Sequence, residues 1–191
     1  MTNSEFDYAY SILTGVRDSI ELSDADGRFT RDVIFNDLLQ RVKPNPIRIF
    51  QVGAIETFSV DWRLGSGWSD IIFGNYIREH GGQLTIADIN LDHLANSSLA
   101  SRVLKYEVDL IYGNATEYIG ESGYNDIYYL DGSNDPKETL DQLNNIGHGN
   151  CVVIVDDFDI KGKLLPKEII DDGYVYPVAN GVAVFRLGET G

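Results

Sequence analysis

The chain has 191 residues with 15 Lys and Arg against 30 Asp and Glu, a formal net charge of −15 at pH 7. That length supports one α/β domain with a full core and is too short for two of them. The negative field repels phosphate backbones and argues against a nucleic-acid partner.

In chain order, MTNSEFDYAY has neither a basic nor an apolar leader region and no apolar run approaches 18 residues, so no membrane segment is expected. Phe6, Tyr10, Leu13, Val16 and Ile20 recur at three- and four-residue steps and predict an amphipathic helix over 4–21. Residues 23–27 read as a turn. Thr30 can cap a second helix carrying Val33, Ile34, Leu38, Leu39 and Val42, ended by Pro44 and Pro46. These two helices, residues 1–45, lie outside the domain expected over 46–191. They are candidates for a lid or a dimer face in a homo-oligomer, with plain packing on the sheet as the alternative.

The stretch 47–88 orders the rest. Residues 47–52 are an apolar, β-branched run stopped by Gly53, as for a strand buried on both faces of a parallel sheet. Gly65 and Gly67 follow, Ser69 can cap a helix to His80, Gly81-Gly82 ends it, and 84–87 form a second strand finishing on Asp88. Gly67 and Asp88 are separated by close to the roughly 20 residues between a nucleotide-binding glycine turn and the acid that meets a ribose. The unit therefore suits a ribonucleoside, although GSGWSD is not the full G-x-G-x-x-G fingerprint and a purely structural crossover is the alternative. The loop 54–64, holding Glu56, Asp61, Trp62 and Arg63, is long for such a turn and reads either as a clamp or as a solvated loop.

Leu91, Leu94, Ala95 and Leu99 mark a fourth helix, 108–112 a third strand, and Asn114 a strand tip where an amide can meet an adenine edge or simply turn the chain. Residues 126–130 form a fourth strand ending on Asp131. Pro136 opens a helix with Leu140, Leu143 and Ile146. Residues 151–155 form a fifth strand ending on Asp156-Asp157. Its Cys151 is the only cysteine, so no intramolecular disulfide can form, and it reads as a core thiol in a reducing, cytoplasmic setting. Asn180-Gly181 between two β-rich runs, 174–178 and 182–187, signals a hairpin. The fold expected is a Rossmann-like doubly wound α/β sheet, mostly parallel, with an antiparallel C-terminal hairpin strand.

Ligands of open α/β sheets bind outside the carboxyl ends of the strands, where this sequence sets Gly53, Asp88, Asn114, Asp131, Asp156 and Asp157. Two carboxylates about 4 Å apart repel by roughly 4 kcal/mol at an effective dielectric near 20, so Asp131, Asp156 and Asp157 converging would take up protons or bind a cation. A divalent ion such as Mg2+ satisfies them; capping of the next helix or turn is the alternative. His80 and His93 on helices and His148 in a loop read as surface or capping residues.

These positions together resemble the class I S-adenosylmethionine-dependent methyltransferases, and among them the divalent-metal-dependent O-methyltransferases of the catechol and macrolide-sugar types. IFQVGA with GSGWSD resembles the glycine motif, IADIN the second-strand motif and YGNATEYI the stretch against adenine, with Asn114 where an Asp is usual. DIYYLDGSN and CVVIVDDFD resemble the two metal-bearing strands. The resemblance implies S-adenosylmethionine held by Gly53, Gly65, Gly67, Ser69, Asp88, Asn114 and Asp131. It implies Mg2+ or another divalent cation on Asp131, Asp156 and Asp157, a catalytic role for Asp131, and a small hydroxylated acceptor.

The chain departs from that pattern at three places. Gln51 stands where an acid is usual, Asn134 where the catechol type has Lys, and Ser133 where the macrolide-sugar type has Asp. The base is thus unassigned, with Asp135, Asp159 or water as candidates. A nicotinamide-dependent oxidoreductase and a catalytically silent nucleoside- or protein-binding scaffold are the competing readings.

Overall fold

The computed structural model describes residues 34–35, 38–39, 46–58, 68–147, 149–177 and 180–188. The predicted helix over 4–21 and the glycines Gly65 and Gly67 lie outside them, as do Asp61, Trp62, Arg63 and His148.

Strand β1 (Ile47–Val52) sits in the middle of the sheet, and only Arg48 of its six residues is exposed. It is flanked by parallel β2 (Gly82–Asp88) and β4 (Ile127–Leu130). Outward from these lie β3 (Asp109–Tyr112) beside β2 and β5 (Cys151–Asp156) beside β4. The last strand, β7 (Val182–Leu187), runs antiparallel between β5 and β6 (Tyr174–Tyr176), giving the order β3-β2-β1-β4-β5-β7-β6. Asn180 and Gly181, before β7, take φ of 60° and 72°, the left-handed backbone that tight hairpin turns demand.

The pleat sorts these strands onto two cores. Ile47, Ile49, Ile127, Tyr129, Val152 and Ile154 face one way. There they meet α1 (Trp68–His80) and α2 (Leu91–Leu104). Residues 34–35 and 38–39 are helical and join the same core, where Phe35 packs 5.7 Å from Phe73 and edge-on to Tyr129 at 5.3 Å. This part of the predicted second helix therefore lies against the sheet. Gly74 admits the flat ring of Tyr106 to α1, since a Cβ there would fall 2.6 Å from its ring atoms.

Phe50, Val52, Tyr128, Leu130, Val153 and Val155 face the other way. They are covered by α3 (Ala115–Ile119), α4 (Pro136–Asn144), α5 (Phe158–Lys161), a 3-10 turn (Gly162–Leu164) and α6 (Lys167–Asp171). Strand order reverses between β1 and β4, so the crevice for a ligand opens at their carboxyl ends, over Gly53 and Asp131.

Candidate functional site at the strand tips

The floor of the crevice is set by backbone at Gly53. Its φ is +93°, and a Cβ would lie 3.0 Å from the Asp131 carbonyl oxygen, so only glycine keeps the β1 and β4 tips this close. Asp131 N donates to Val52 O at 3.2 Å, and Gly53 N to Ala87 O at 3.0 Å. The chain then crosses the end of β2. Ala54 N donates to Asp88 Oδ2 at 2.9 Å, Asn90 N donates to Oδ1 at 2.7 Å, and His93 Nδ1 lies 3.3 Å from Oδ2. Asp88 therefore stands at the tip as expected, its orientation fixed by two backbone amides. His93 faces this acid instead of serving only as a surface residue on α2. Beyond it, Ile55 N donates to Ser97 Oγ at 3.1 Å, and Asn96 Nδ2 donates to the Ile55 and Glu56 carbonyls at 3.0 and 3.1 Å. The start of the long loop is thus tied to α2.

Alternation along β1 aims Gln51 at α1, where it donates from Nε2 to Asp70 Oδ1 and, at 2.7 Å, to the Gly53 carbonyl. Ser97 Oγ donates to the other Asp70 oxygen. Asp70 is fully buried, and burial, with a smaller push from the charge of Asp88, raises its pKa from 3.8 to about 7 against the two hydrogen bonds. Gln51 Oε1 is buried with no hydrogen-bond partner. The acid that Gln51 meets is Asp70, from the neighbouring helix, and it is closed off from the crevice. Its sequence signal was an acid in a first helical turn, which alone reads as a favourable charge near the helix N-terminus. Ser69 is not the cap: α1 begins at Trp68, and Ser69 is buried within its first turn.

At the other side of the crevice the pleat puts Tyr129 and Asp131 on the face shared with Asp156. The Tyr129 hydroxyl lies 2.8 Å from Asp156 Oδ2 and 3.1 Å from Asp131 Oδ2. Asp157 N donates to Asp156 Oδ1 at 2.8 Å, and Asn180 Nδ2 donates to Asp157 Oδ1 at 3.1 Å. Asp157 itself adopts left-handed φ and ψ of 49° and 45°, turning the chain at once into α5. Four residues on, Lys161 returns to the cluster: its Nζ donates to Asp131 Oδ1 and lies 3.8 Å from Asp157 Oδ2, with the residue only 2 % exposed. Burial first, then the charge of Asp156, raises the Asp131 pKa, and the Lys161 ammonium opposes that rise.

The three acids do converge, but an ammonium of the chain's own sits among them. Lys161, the Asp157 amide, Asn180 and the Tyr129 hydroxyl, whose single proton lies between Asp131 Oδ2 and Asp156 Oδ2, already engage these carboxylates. In this arrangement they do not fit a divalent ion, and among the described residues no group of three His, Cys, Asp or Glu is arranged to hold a metal. Lys161 carried no signal in FDIKGK beyond an ordinary charged residue, because its meaning depends on the turn at Asp157.

Asn114 is the N-cap of α3, its Oδ1 accepting from Thr116 N at 3.0 Å. Asp135 caps α4 in the same way, accepting from Lys137 N at 2.9 Å. Ile89, Leu91 and Tyr112 stand exposed around Asp88 and the β3 tip, so Leu91 is not the core position that its spacing suggested. Cys151 is a buried free thiol whose pKa burial pushes up to about 11. No helix among the described residues is long and apolar enough to cross a membrane.

A seven-stranded sheet in this order, with only β7 reversed and a ligand crevice over β1 and β4, is the class I methyltransferase fold. No family model matches the chain, and no curated protein matches it. Among solved structures it is similar to the S-adenosylhomocysteine-bound methyltransferase PaMTH1 of Podospora anserina, at 17% identity and a TM-score of 0.61 over 96% of this chain and 88% of that one. It is similar to cofactor-bound Rv0187 of MTB at 14% identity and a TM-score of 0.60, covering 95% of this chain and 90% of that one. A Klebsiella pneumoniae protein assigned provisionally as an O-methyltransferase gives 13% identity and a TM-score of 0.57, covering 98% and 91%.

Proposed function

We propose that the chain transfers a methyl group from S-adenosylmethionine to an oxygen of a small hydroxylated molecule. The observation that carries this reading is the meeting of Gly53, Asp88 and Asp131 along one crevice of a methyltransferase fold. The residues fit the cofactor. Gly53 leaves the backbone open, the Asp88 carboxylate is aimed by Ala54 and Asn90 to accept from ribose hydroxyls, and exposed Ile89, Leu91 and Tyr112 offer apolar surface to a base. The orphaned Gln51 Oε1, on the side chain whose Nε2 donates to the Gly53 carbonyl, offers an acceptor for the amino group of the methionine part. Asn114, Gly65, Gly67 and Ser69 complete the set taken from the resemblance.

Bound there, the cofactor would supply an electrophilic methyl group on a sulfonium, with a neutral thioether as its leaving group. The chain's part is to place the acceptor in line and to take its proton. Asp131 is suited to that role: it lies at the β4 tip beside Gly53 and is oriented by Tyr129 and Lys161. No step through Mg2+ belongs to this reading, because Lys161 occupies the place among the acids.

Isothermal titration of the protein with S-adenosylhomocysteine and with NAD tests the cofactor. Binding of the first and not the second is expected; the reverse would replace the reading with the nicotinamide one. A screen of hydroxylated small molecules with a labelled methyl donor then tests turnover. Cofactor binding with no methylated product across the screen would favour the silent scaffold.

A further inference from the structure

We infer that Lys161 is the resident cation of the Asp131–Asp156–Asp157 cluster, built into the chain in place of a divalent metal ion, and that the wild-type protein binds no metal there. The inference does not rest on the methyltransferase reading, since it concerns only which cation the carboxylates hold.

Three observations carry it. The first is position. β4 and β5 are adjacent parallel strands whose tips bring Asp131 and Asp156 onto one Tyr129 hydroxyl, and Lys161 Nζ reaches the same cluster through Asp131 Oδ1 and Asp157 Oδ2. The second is commitment of the oxygens. Asp131 accepts from Lys161 and meets Tyr129, Asp156 meets Tyr129 and accepts from the Asp157 amide, and Asp157 accepts from Asn180 and faces Lys161. A metal would have to displace several of these donors at once. The third is burial of the lysine. An ammonium 2 % exposed has no water to retreat into, so an incoming dication would meet a like charge that cannot leave without unmaking α5.

The backbone is built around that placement. The left-handed turn at Asp157 sets α5 directly against the β5 tip, and Phe158 N and Asp159 N donate to the Gly181 and Asn180 carbonyls at 3.1 and 2.9 Å. The hairpin before β7 thus holds the start of the short helix that delivers Lys161. Gly162 follows at once, where a Cβ would fall 2.4 Å from the Phe158 ring, so the chain can fold the lysine stem inward and turn away.

Mn2+ titration read by electron paramagnetic resonance tests this, because bound Mn2+ loses the sharp signal of the free ion. Wild type, Lys161→Met, Lys161→Ala and Asp131→Asn are compared, with circular dichroism as the check of folding. Wild type is expected to take up no Mn2+ that Asp131→Asn removes, which separates the cluster from weak binding elsewhere on an acid-rich surface. Lys161→Ala is expected to gain one Mn2+ per chain, lost again in the double variant with Asp131→Asn. Lys161→Met keeps the stem without the charge and is expected to gain the ion more weakly. A wild-type Mn2+ site that disappears in Asp131→Asn would overturn the inference, as would a folded Lys161→Ala that gains none. If neither lysine variant folds, the wild-type comparison with Asp131→Asn still decides whether the cluster takes a metal with Lys161 present.

Discussion

Replacing Asp70 by Asn should make the protein more stable at alkaline pH and change how its stability depends on pH. Asp70 is wholly buried between Gln51 and Ser97, and its pKa rises from 3.8 to about 7. Between these values the folded state holds a proton that the unfolded chain has released, so stability falls as pH climbs from about 4 through 7. At about 1.4 kcal/mol per pKa unit, the carboxylate costs the wild type about 4 kcal/mol above pH 7. The amide in Asp70→Asn carries no charge but must rearrange one hydrogen bond with Gln51 or Ser97, at about 1 kcal/mol. The variant should therefore come close to the wild type near pH 5 and exceed it by about 3 kcal/mol at pH 8. Urea unfolding followed by circular dichroism at both values measures this. Parallel pH profiles for the two proteins would refute it, showing that burial does not shift the Asp70 carboxyl.

Tyr129→Phe removes the hydroxyl shared by Asp131 and Asp156 and should lower stability by about 1–3 kcal/mol in urea titration. Asp88→Ala should weaken S-adenosylhomocysteine binding by about 100-fold, the loss of hydrogen bonds to a charged acceptor, as read by calorimetry. Gly53→Ala, forced into φ of +93° with its Cβ against the Asp131 carbonyl, should cost about 1–3 kcal/mol in the same urea assay and weaken cofactor binding as well. Cys151, buried with its pKa pushed up to about 11, should resist thiol reagents in the folded state at pH 8 and react only on unfolding.

The sheet was legible because its strands are short apolar runs cut by Gly and Asp, a pattern that one face of burial after another enforces. Asp88, Asp131, Asp156 and Asp157 could be placed for the same reason, since a residue ending a parallel strand has nowhere else to stand. Asp70 and Lys161 could not. Each lies on a helix, where an acid or a lysine is ordinary, and each acquires its partners only through packing across 19 and 30 residues. Ser69 reads in the sequence as the cap but stands inside the first turn, because a Ser before an apolar run suits both places. The order of strands past β5 also depended on β7 inserting between β5 and β6, which the hairpin signal alone does not specify.

The seam between β1 and β4 has a consequence for how the molecule comes together. Neighbours on either side of it pair over short stretches of chain, as in Ile47 with Gly82, Thr85 with Asp109 and Ile127 with Val152. Across the seam, Arg48 and Asp126 meet at a separation of 78 residues. Closing the longer loop carries the larger entropy cost, so the pairings within each half are the ones favoured to form first. A half-assembled chain would own Gly53 and Asp88 without Asp131, or Asp131 and Lys161 without Gly53 and Asp88. The cluster at the strand tips is complete only once both halves have met.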